Sequence, residues 1–462
     1  MKTPVTLDAS RRAFMRRASA LSLAGVATPW ALNLATLGEA AAAGATDYKA
    51  LVCVFLYGGN DYGNTLIPYD SASYTLYAGL RGNLGYARSA LDATALTPSV
   101  ALAGGRQYAL AAELAPLLPI FNAGRMAAVL NVGTLVQPTT KAQYLAKSVP
   151  LPPKLFSHND QQSVWQSSAP EGAISGWGGR MGDLLESGNG ISTFTCVNVS
   201  GNAVYLSGSH AVQYQVSTAG SVALRALSSP LFGSAACSSA LQTLITQPRT
   251  DLFEAEYTRV TKRSIDANKL LTTSLVPAGS ITTPFPAANG LGDQLKLVAR
   301  MIASASVLGA KRQVFFVSIG GFDTHTGLVT THPALMSTVG NALAAFYNAT
   351  VDLGVASQVT TFTASDFGRT LTTNGDGSDH GWGSMHFVSG GAVNGQRLYG
   401  APPAVANNGP DDVGQGRLLP TTSVDQYAAT LGRWFGVSDG DLLTVLPNLK
   451  NYNASTRNLG FV

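Results

Sequence analysis

The stretch Val314-Phe-Phe-Val-Ser-Ile-Gly-Gly-Phe-Asp323 reads as an apolar strand running through two glycines into an aspartate. Val52-Cys-Val-Phe-Leu-Tyr-Gly-Gly-Asn-Asp61 shares this pattern, and Val359-Thr-Thr-Phe-Thr-Ala-Ser-Asp366 likewise runs from a strand into an aspartate, without the glycines. In an open parallel sheet the carboxyl ends of the strands share one edge, where ligand crevices form, so aspartates distant in sequence converge there. Histidines follow two of the strands closely, in Asp323-Thr-His325 and, after a Gly-rich stretch, in Ser378-Asp-His380-Gly. Carboxylates and imidazoles gathered at one edge predict a metal site of the kind that suits zinc, manganese or iron.

Working outward, strand and helix patterns alternate. Leu291–Leu308 (helix), Gln313–Ile319 (strand), Pro333–Leu353 (helix) and Val359–Ala364 (strand) specify parallel βαβ units. Met126–Val132 adds a buried strand and Met385–Ser389 another, while Ala111–Ala123 and Val424–Phe435 read as helices. Ser157 stands where a helix N-cap belongs. The segment from Pro68 to Gly105 has weak periodicity and reads as an irregular surface excursion. From Gly172 to about Pro286 the texture changes to short Ser/Thr/Gly-rich runs around a helix over Asp251–Leu271, which predicts an insertion or cap. The expected fold is a three-layer α/β sandwich with a mostly parallel central sheet.

The amino terminus carries Ser10-Arg-Arg-Ala-Phe-Met15, then Arg16 and Arg17, an apolar segment to about Ala35 and the small residues Ala40–Ala43. This is the layout of a twin-arginine export signal cleaved near Ala43. It predicts passage through the twin-arginine machinery to the periplasm or exterior, with residues 44–462 as one domain. The apolar segment contains Ser19, Ser22, Thr28, Pro29 and Asn33, too polar for a stable membrane span in the mature form. The chain has 30 basic and 26 acidic residues, and removing residues 1–43 leaves 25 and 24. That balance gives no basic excess for nucleic acid or an anionic membrane. Cys53, Cys196 and Cys237 lack CxxC spacing; a single Cys196–Cys237 bridge is the one pairing an oxidising compartment would favour.

Several motifs together resemble the bacterial exported family called domain of unknown function 1501. They are Phe55-Leu-Tyr-Gly-Gly-Asn-Asp61 with Asn64 and Pro68, Ser157-His158 with Trp165, Gly320-Gly-Phe-Asp-Thr-His325, Ser365-Asp-Phe-Gly-Arg369, Ser378-Asp-His-Gly381, and Asp425-Gln-Tyr with Trp434-Phe-Gly436. That family in turn resembles a divergent branch of the alkaline phosphatase and sulfatase superfamily. The resemblance implies an alkaline-phosphatase-like fold, one or two divalent ions, zinc or manganese, and hydrolysis of a small anionic phosphate or sulfate ester. It makes Asp61 the first metal ligand, Ser157 the nucleophile, Asp323 and His325 ligands to one metal, Asp366 a ligand to the other and His380 the closing ligand. Two departures from the superfamily stand out: Asp366-Phe367 replaces its Asp-His pair, leaving Asp379 or His386 to substitute, and Asp323-x-His325 is more tightly spaced than its usual interval. These departures fit a single-metal centre, or a degenerate envelope protein that keeps the fold for binding or assembly.

The chemistry of such a site needs a nucleophile, cations and an anion clamp. Ser157 at a helix start would have backbone N–H groups and the positive end of the dipole beside it, although Ser is equally a preferred N-cap. Arg369 suits bidentate contact with tetrahedral oxygens, or a local carboxylate. His158 reads as a group supporting the site, His386 as a hydrogen-bonded core residue, and His210 and His332 as structural.

Overall fold

A computed structural model describes residues 47–462 apart from residue 202. The expected export signal lies outside the described residues. Twelve strands are found among the described residues: β1 (Lys49–Leu56), β2 (Leu66–Pro68), β3 (Tyr108–Leu110), β4 (Met126–Gly133), β5 (Cys196–Asn198), β6 (Tyr214–Ser217), β7 (Gly220–Ser221), β8 (Arg312–Ile319), β9 (Val359–Ser365), β10 (Ser384–Gly390), β11 (Arg397–Tyr399) and β12 (Thr422–Ser423). Ten form one sheet in the order β11-β4-β10-β9-β1-β8-β5-β6-β7, with β12 also on β4; β2 and β3 pair separately. The centre is parallel, β1 lying between β8 and β9 and β5 following β8. β10 runs antiparallel to both neighbours, so the sheet is mixed but mostly parallel.

Both faces are covered by helices. Along β1, Leu51, Cys53 and Phe55 enter a core with Trp165, Trp177, Tyr427 and Phe435. Ala50, Val52 and Val54 enter the opposite core with Leu295, Val298, Val339 and Phe346. The first face is packed by helices His158–Ser167, Trp177–Leu185 and Val424–Phe435, the second by Gly290–Ala303 and Leu328–Asp352. Alternate side chains of a strand point to opposite faces, so a strand with no polar face must be buried on both. The helix Val424–Phe435 is delimited locally, by a Ser423–Gln426 capping box and by Gly436 at φ 116°.

Some expectations need correction. The excursion from Pro68 contains an 11-residue helix, Ser71–Arg81, whose Asp70 cap accepts from the Ser73 N–H at 2.9 Å. Its periodicity is weak in sequence because its buried stripe is Ser73, Tyr77 and Arg81, only one of them markedly apolar. The helix expected from Pro333 starts at Leu328, and Ala112–Leu117 is a 3₁₀ turn before a short helix. The segment 172–286 is not only a cap, since β5, β6 and β7 extend the central sheet beyond β8. No disulfide forms among the described residues: Cys196 is buried and Cys237 exposed, both free. Among the described residues no helix is long and apolar enough to cross a membrane.

Candidate metal centre

Leu56 of β1 stands level with Ile319 of β8 and Ser365 of β9, so three loops leave the sheet from one edge. The glycines after β1 let these loops meet. Gly58 has φ 115°, and a Cβ there would lie 2.4 Å from the Asp323 backbone nitrogen; at Gly59, φ 83°, it would strike the Phe367 ring at 2.4 Å. Only glycine combines such a φ with that approach. An isolated bridge between Arg369 and His380, with the Thr370 N–H donating to the Asp379 carbonyl at 2.9 Å, brings the 378–381 loop onto the segment after β9.

At this edge three imidazoles surround one carboxylate oxygen. Asp323 Oδ1 lies 3.2 Å from His325 Nε2, 3.3 Å from His380 Nε2 and 3.4 Å from His158 Nε2. Each ring is held through its other nitrogen. His158 Nδ1 is 2.6 Å from Asp366 Oδ2, His325 Nδ1 is 3.2 Å from Asp379 Oδ1, and His380 Nδ1 is 2.7 Å from the Phe156 carbonyl. A carbonyl or carboxylate oxygen accepts, so each Nδ1 carries the proton and each Nε2 offers a lone pair. His325 and His380 then face each other Nε2 to Nε2 at 2.8 Å, two acceptors that a shared cation would reconcile. His158 Nε2 is buried without a hydrogen-bond partner.

This donor set fits a divalent ion. A tetrahedron of metal bonds about 2.0–2.1 Å long has edges of about 3.3–3.4 Å, which matches the spacings of His158 and His380 from Asp323 Oδ1, whereas His325 Nε2 at 2.8 Å from His380 Nε2 is closer than such an edge. His158, Asp323 and His380 each offer an atom within 4.8 Å of the others. The helix beginning at His158 brings to this edge a candidate ligand that the sequence placed only in support, and the signal for it was a histidine at the first position of a helix. Phe367 packs against the His158 and His380 rings at 4.8 and 4.9 Å between centroids.

The other predicted site residues have different surroundings. Asp366 and Asp379 face the imidazoles as their Nδ1 partners. Asp366 Oδ2 also accepts from Gly58 N at 3.2 Å and Gln162 Nε2 at 2.8 Å. Asp61, expected as the first ligand, is instead a fully buried partner of Arg81 and accepts from the Gly63 N–H. Its carboxylate is neutralised by a guanidinium that also donates to the Thr370 and Leu371 carbonyls. Arg369 is committed to the protein rather than presented to a ligand. Its Nη1 donates to Asp323 Oδ1 at 2.9 Å and to the Gly58 carbonyl at 3.0 Å, and its Nε to the Ser378 carbonyl at 3.0 Å. Ser157 does not cap its helix; its Oγ donates to Asp160 Oδ2 at 3.1 Å. His386 and His332 are core residues; burial lowers their pKa values to about 3 and about 4.

Charge distribution supports a coordinating state. Burial alone would raise the Asp323 pKa, but the Arg369 bond and the imidazoles bring it below the ordinary carboxylate value. His380 is lowered by burial, against the pull of the Phe156 carbonyl, which favours the neutral ring a metal requires. His158 is raised, chiefly by its bond to Asp366 and against desolvation, the effect of a carboxylate that makes an imidazole more basic. The Phe156 backbone that receives His380 has φ 74°, and Lys154 has φ 40°, both unusual for residues with a Cβ.

The family model described as protein of unknown function (DUF1501) matches residues 48–446. No curated protein matches the sequence. Among solved structures the chain is similar to PsFucS1 sulfatase from Pseudoalteromonas sp., at 12% identity over 94% of this chain and 76% of that one, with a TM-score of 0.35. It is also similar to the lipoteichoic acid synthase LtaP from Listeria monocytogenes, at 8% identity over 92% and 82%, TM-score 0.35. A mutant of the alkaline phosphatase PafA gives 12% identity over 70% and 64%, TM-score 0.27.

Proposed function

The chain belongs to the family described as protein of unknown function (DUF1501), and on that premise we propose that it is a metal-dependent hydrolase of phosphate or sulfate esters with a mononuclear centre. One observation supports this most: three imidazoles, each fixed through Nδ1, turn Nε2 toward the single oxygen Asp323 Oδ1. His158, Asp323, His325 and His380 would hold the ion, zinc or manganese, while Asp366 and Asp379 orient His158 and His325. A divalent ion bound there supplies Lewis acidity to an ester oxygen. Arg369 holds Asp323 and the β1 loop in register rather than binding substrate.

Ser157 adjoins the ligand His158, and its Oγ–H already points to Asp160 Oδ2. In the proposed reaction Asp160 takes that proton as Oγ attacks the phosphorus or sulfur and the bond to the ester oxygen breaks; the alkoxide leaves as the alcohol with a proton from water, and a second water then cleaves the seryl ester, releasing phosphate or sulfate and restoring Ser157. The backbone N–H groups opening the helix His158–Ser167 face an anion with the positive end of its dipole. We further read residues 1–43 as an export signal and 44–462 as the exported domain. A second reading, a metal-binding envelope protein without turnover, is favoured by Arg369 being used up on protein groups.

The test combines elemental analysis of the purified protein with assays on aryl phosphates and aryl sulfates. Wild type should carry one ion per chain and turn over one ester class. Ser157→Ala should keep the ion and lose turnover by about 10²–10⁴-fold. A metal-free wild type after refolding with zinc or manganese defeats the metal reading. Metal without turnover on either class leaves the binding reading.

A further inference from the structure

The helix Leu252–Ser274 carries an apolar stripe at heptad spacing: Phe253, Tyr257, Val260, Ser264, Ala267 and Leu271, in steps of four and three. Ala267 and Leu271 are buried in the core, where the helix packs near β7 at the end of the sheet. The same stripe then runs off the body. Phe253 is 83% exposed, Tyr257 66% and Val260 41%. The neighbouring helix Ala235–Thr246 covers none of them and buries no residue of its own. Leu252, next to Phe253 in the chain, is also exposed. An apolar seam of this kind, capped and regular at Asp251, is the half of a coiled-coil contact that lacks its partner.

The charges say which partner fits. Acidic groups sit toward the start of the exposed half, at Asp251, Glu254 and Glu256, and basic groups follow at Arg259, Lys262 and Arg263. Glu256, Arg259 and Arg263 fall on one flank of the stripe by helical spacing. Two such helices laid antiparallel about a two-fold axis between Tyr257 and Val260 would put the acidic end of each against the basic stretch of the other. That is the self-complementary pattern of an isologous contact. An anionic lipid surface would instead be repelled by the acidic half.

We propose that the protein is a homodimer joined through the exposed half of the helix Leu252–Ser274, with Phe253, Tyr257 and Val260 interleaving across the axis. The surface pairs Glu256–Arg259 and Lys262–Asp266 within one chain are exposed and free to exchange for pairs between chains. The contact is separate from the metal centre and does not depend on the function proposed for it.

Sedimentation velocity of the full mature protein over a concentration series tests this. Wild type should sediment as a reversible dimer, and Phe253→Glu/Tyr257→Glu should be monomeric with an unchanged circular dichroism spectrum, since both side chains are exposed. Glu254→Lys/Glu256→Lys and Arg259→Glu/Arg263→Glu should each weaken self-association about tenfold or more, and an equimolar mixture of the two should recover a heterodimer. A monomeric wild type overturns the proposal, as does a dimer untouched by the Phe253/Tyr257 change. A monomer that floats with phosphatidylglycerol vesicles also overturns it and assigns the face to a membrane.

Discussion

Asp323 Oδ1 is the atom on which the centre turns, because three imidazoles and the Arg369 guanidinium all address it. The divisions of labour around it are testable residue by residue. His158→Ala removes a direct donor and should lower zinc affinity by at least about 100-fold, whereas Asp366→Asn only loosens the ring's orientation and should cost about 10–100-fold. Competition against a chromophoric chelator measures both; equal losses would place Asp366 among the ligands. Asp61→Asn gives the opposite pattern. Its partner Arg81 stays buried and loses its counter-charge, so stability should fall by about 3–5 kcal/mol in denaturant unfolding, while folded protein keeps one ion. Loss of the ion at unchanged stability would return Asp61 to the metal. From the sequence, the gathering of Asp323, His325 and His380 at one edge was legible because a strand, a glycine turn and an acid or imidazole are all local signals. His158 was harder to read, since its role depends on the direction in which a helix enters from the far side of the sheet. Asp61 misled for the converse reason: Arg81, its partner, lies in a helix whose buried stripe is polar and so was not recognised.

At the scale of elements, the centre is a product of close loop approach. The strands β1, β8 and β9 end level, which their apolar runs predicted. The distance between the loops that follow is set by Gly58 and Gly59, whose positive φ angles and lack of Cβ no periodicity argument shows in advance. Gly58→Ala adds a methyl 2.4 Å from the Asp323 nitrogen at φ 115°. The backbone conformation alone should cost about 1–3 kcal/mol, and the clash should push Asp323 out of line with the imidazoles, so metal affinity should fall more than tenfold. Gly279→Ala is the control, with nothing within 4 Å of the added carbon, and should leave binding unchanged. Wild-type affinity in Gly58→Ala would show that the loops tolerate separation. The same reasoning explains why β5, β6 and β7 were not foreseen as part of the sheet. They are only two to four residues long, too short to print an alternation, and are specified by stepwise pairing outward from β8, β5 on β8, β6 on β5 and β7 on β6, rather than by their own sequence.

The whole molecule is held by two apolar cores on either side of the sheet, and polar groups inside those cores set its response to pH. Asp425, in the motif that starts the helix packed on β1, lies buried, its Oδ1 accepting from the Asn448 N–H at 3.2 Å and the Ser168 hydroxyl at 3.4 Å. Burial raises its pKa from 3.8 to about 6, against the lowering effect of Asn448, Ser168 and Arg180. A carboxyl whose folded pKa lies above its unfolded value supports the fold fully below the unfolded value. That support is lost as pH rises through about 6. Above that pH the folded state must hold an ionised carboxylate in the core, a disadvantage of about 3 kcal/mol for a shift of this size. Asp425→Asn keeps an oxygen for both donors and carries no charge at any pH. Thermal unfolding should therefore show the variant more stable than wild type at pH 8, by up to that amount, with the difference shrinking toward zero near pH 4. A variant less stable at pH 8 would mean that the ionised carboxylate and Arg180 form a net favourable pair, and that the Asp425-Gln-Tyr motif is kept for that charge rather than for its cap and core contacts.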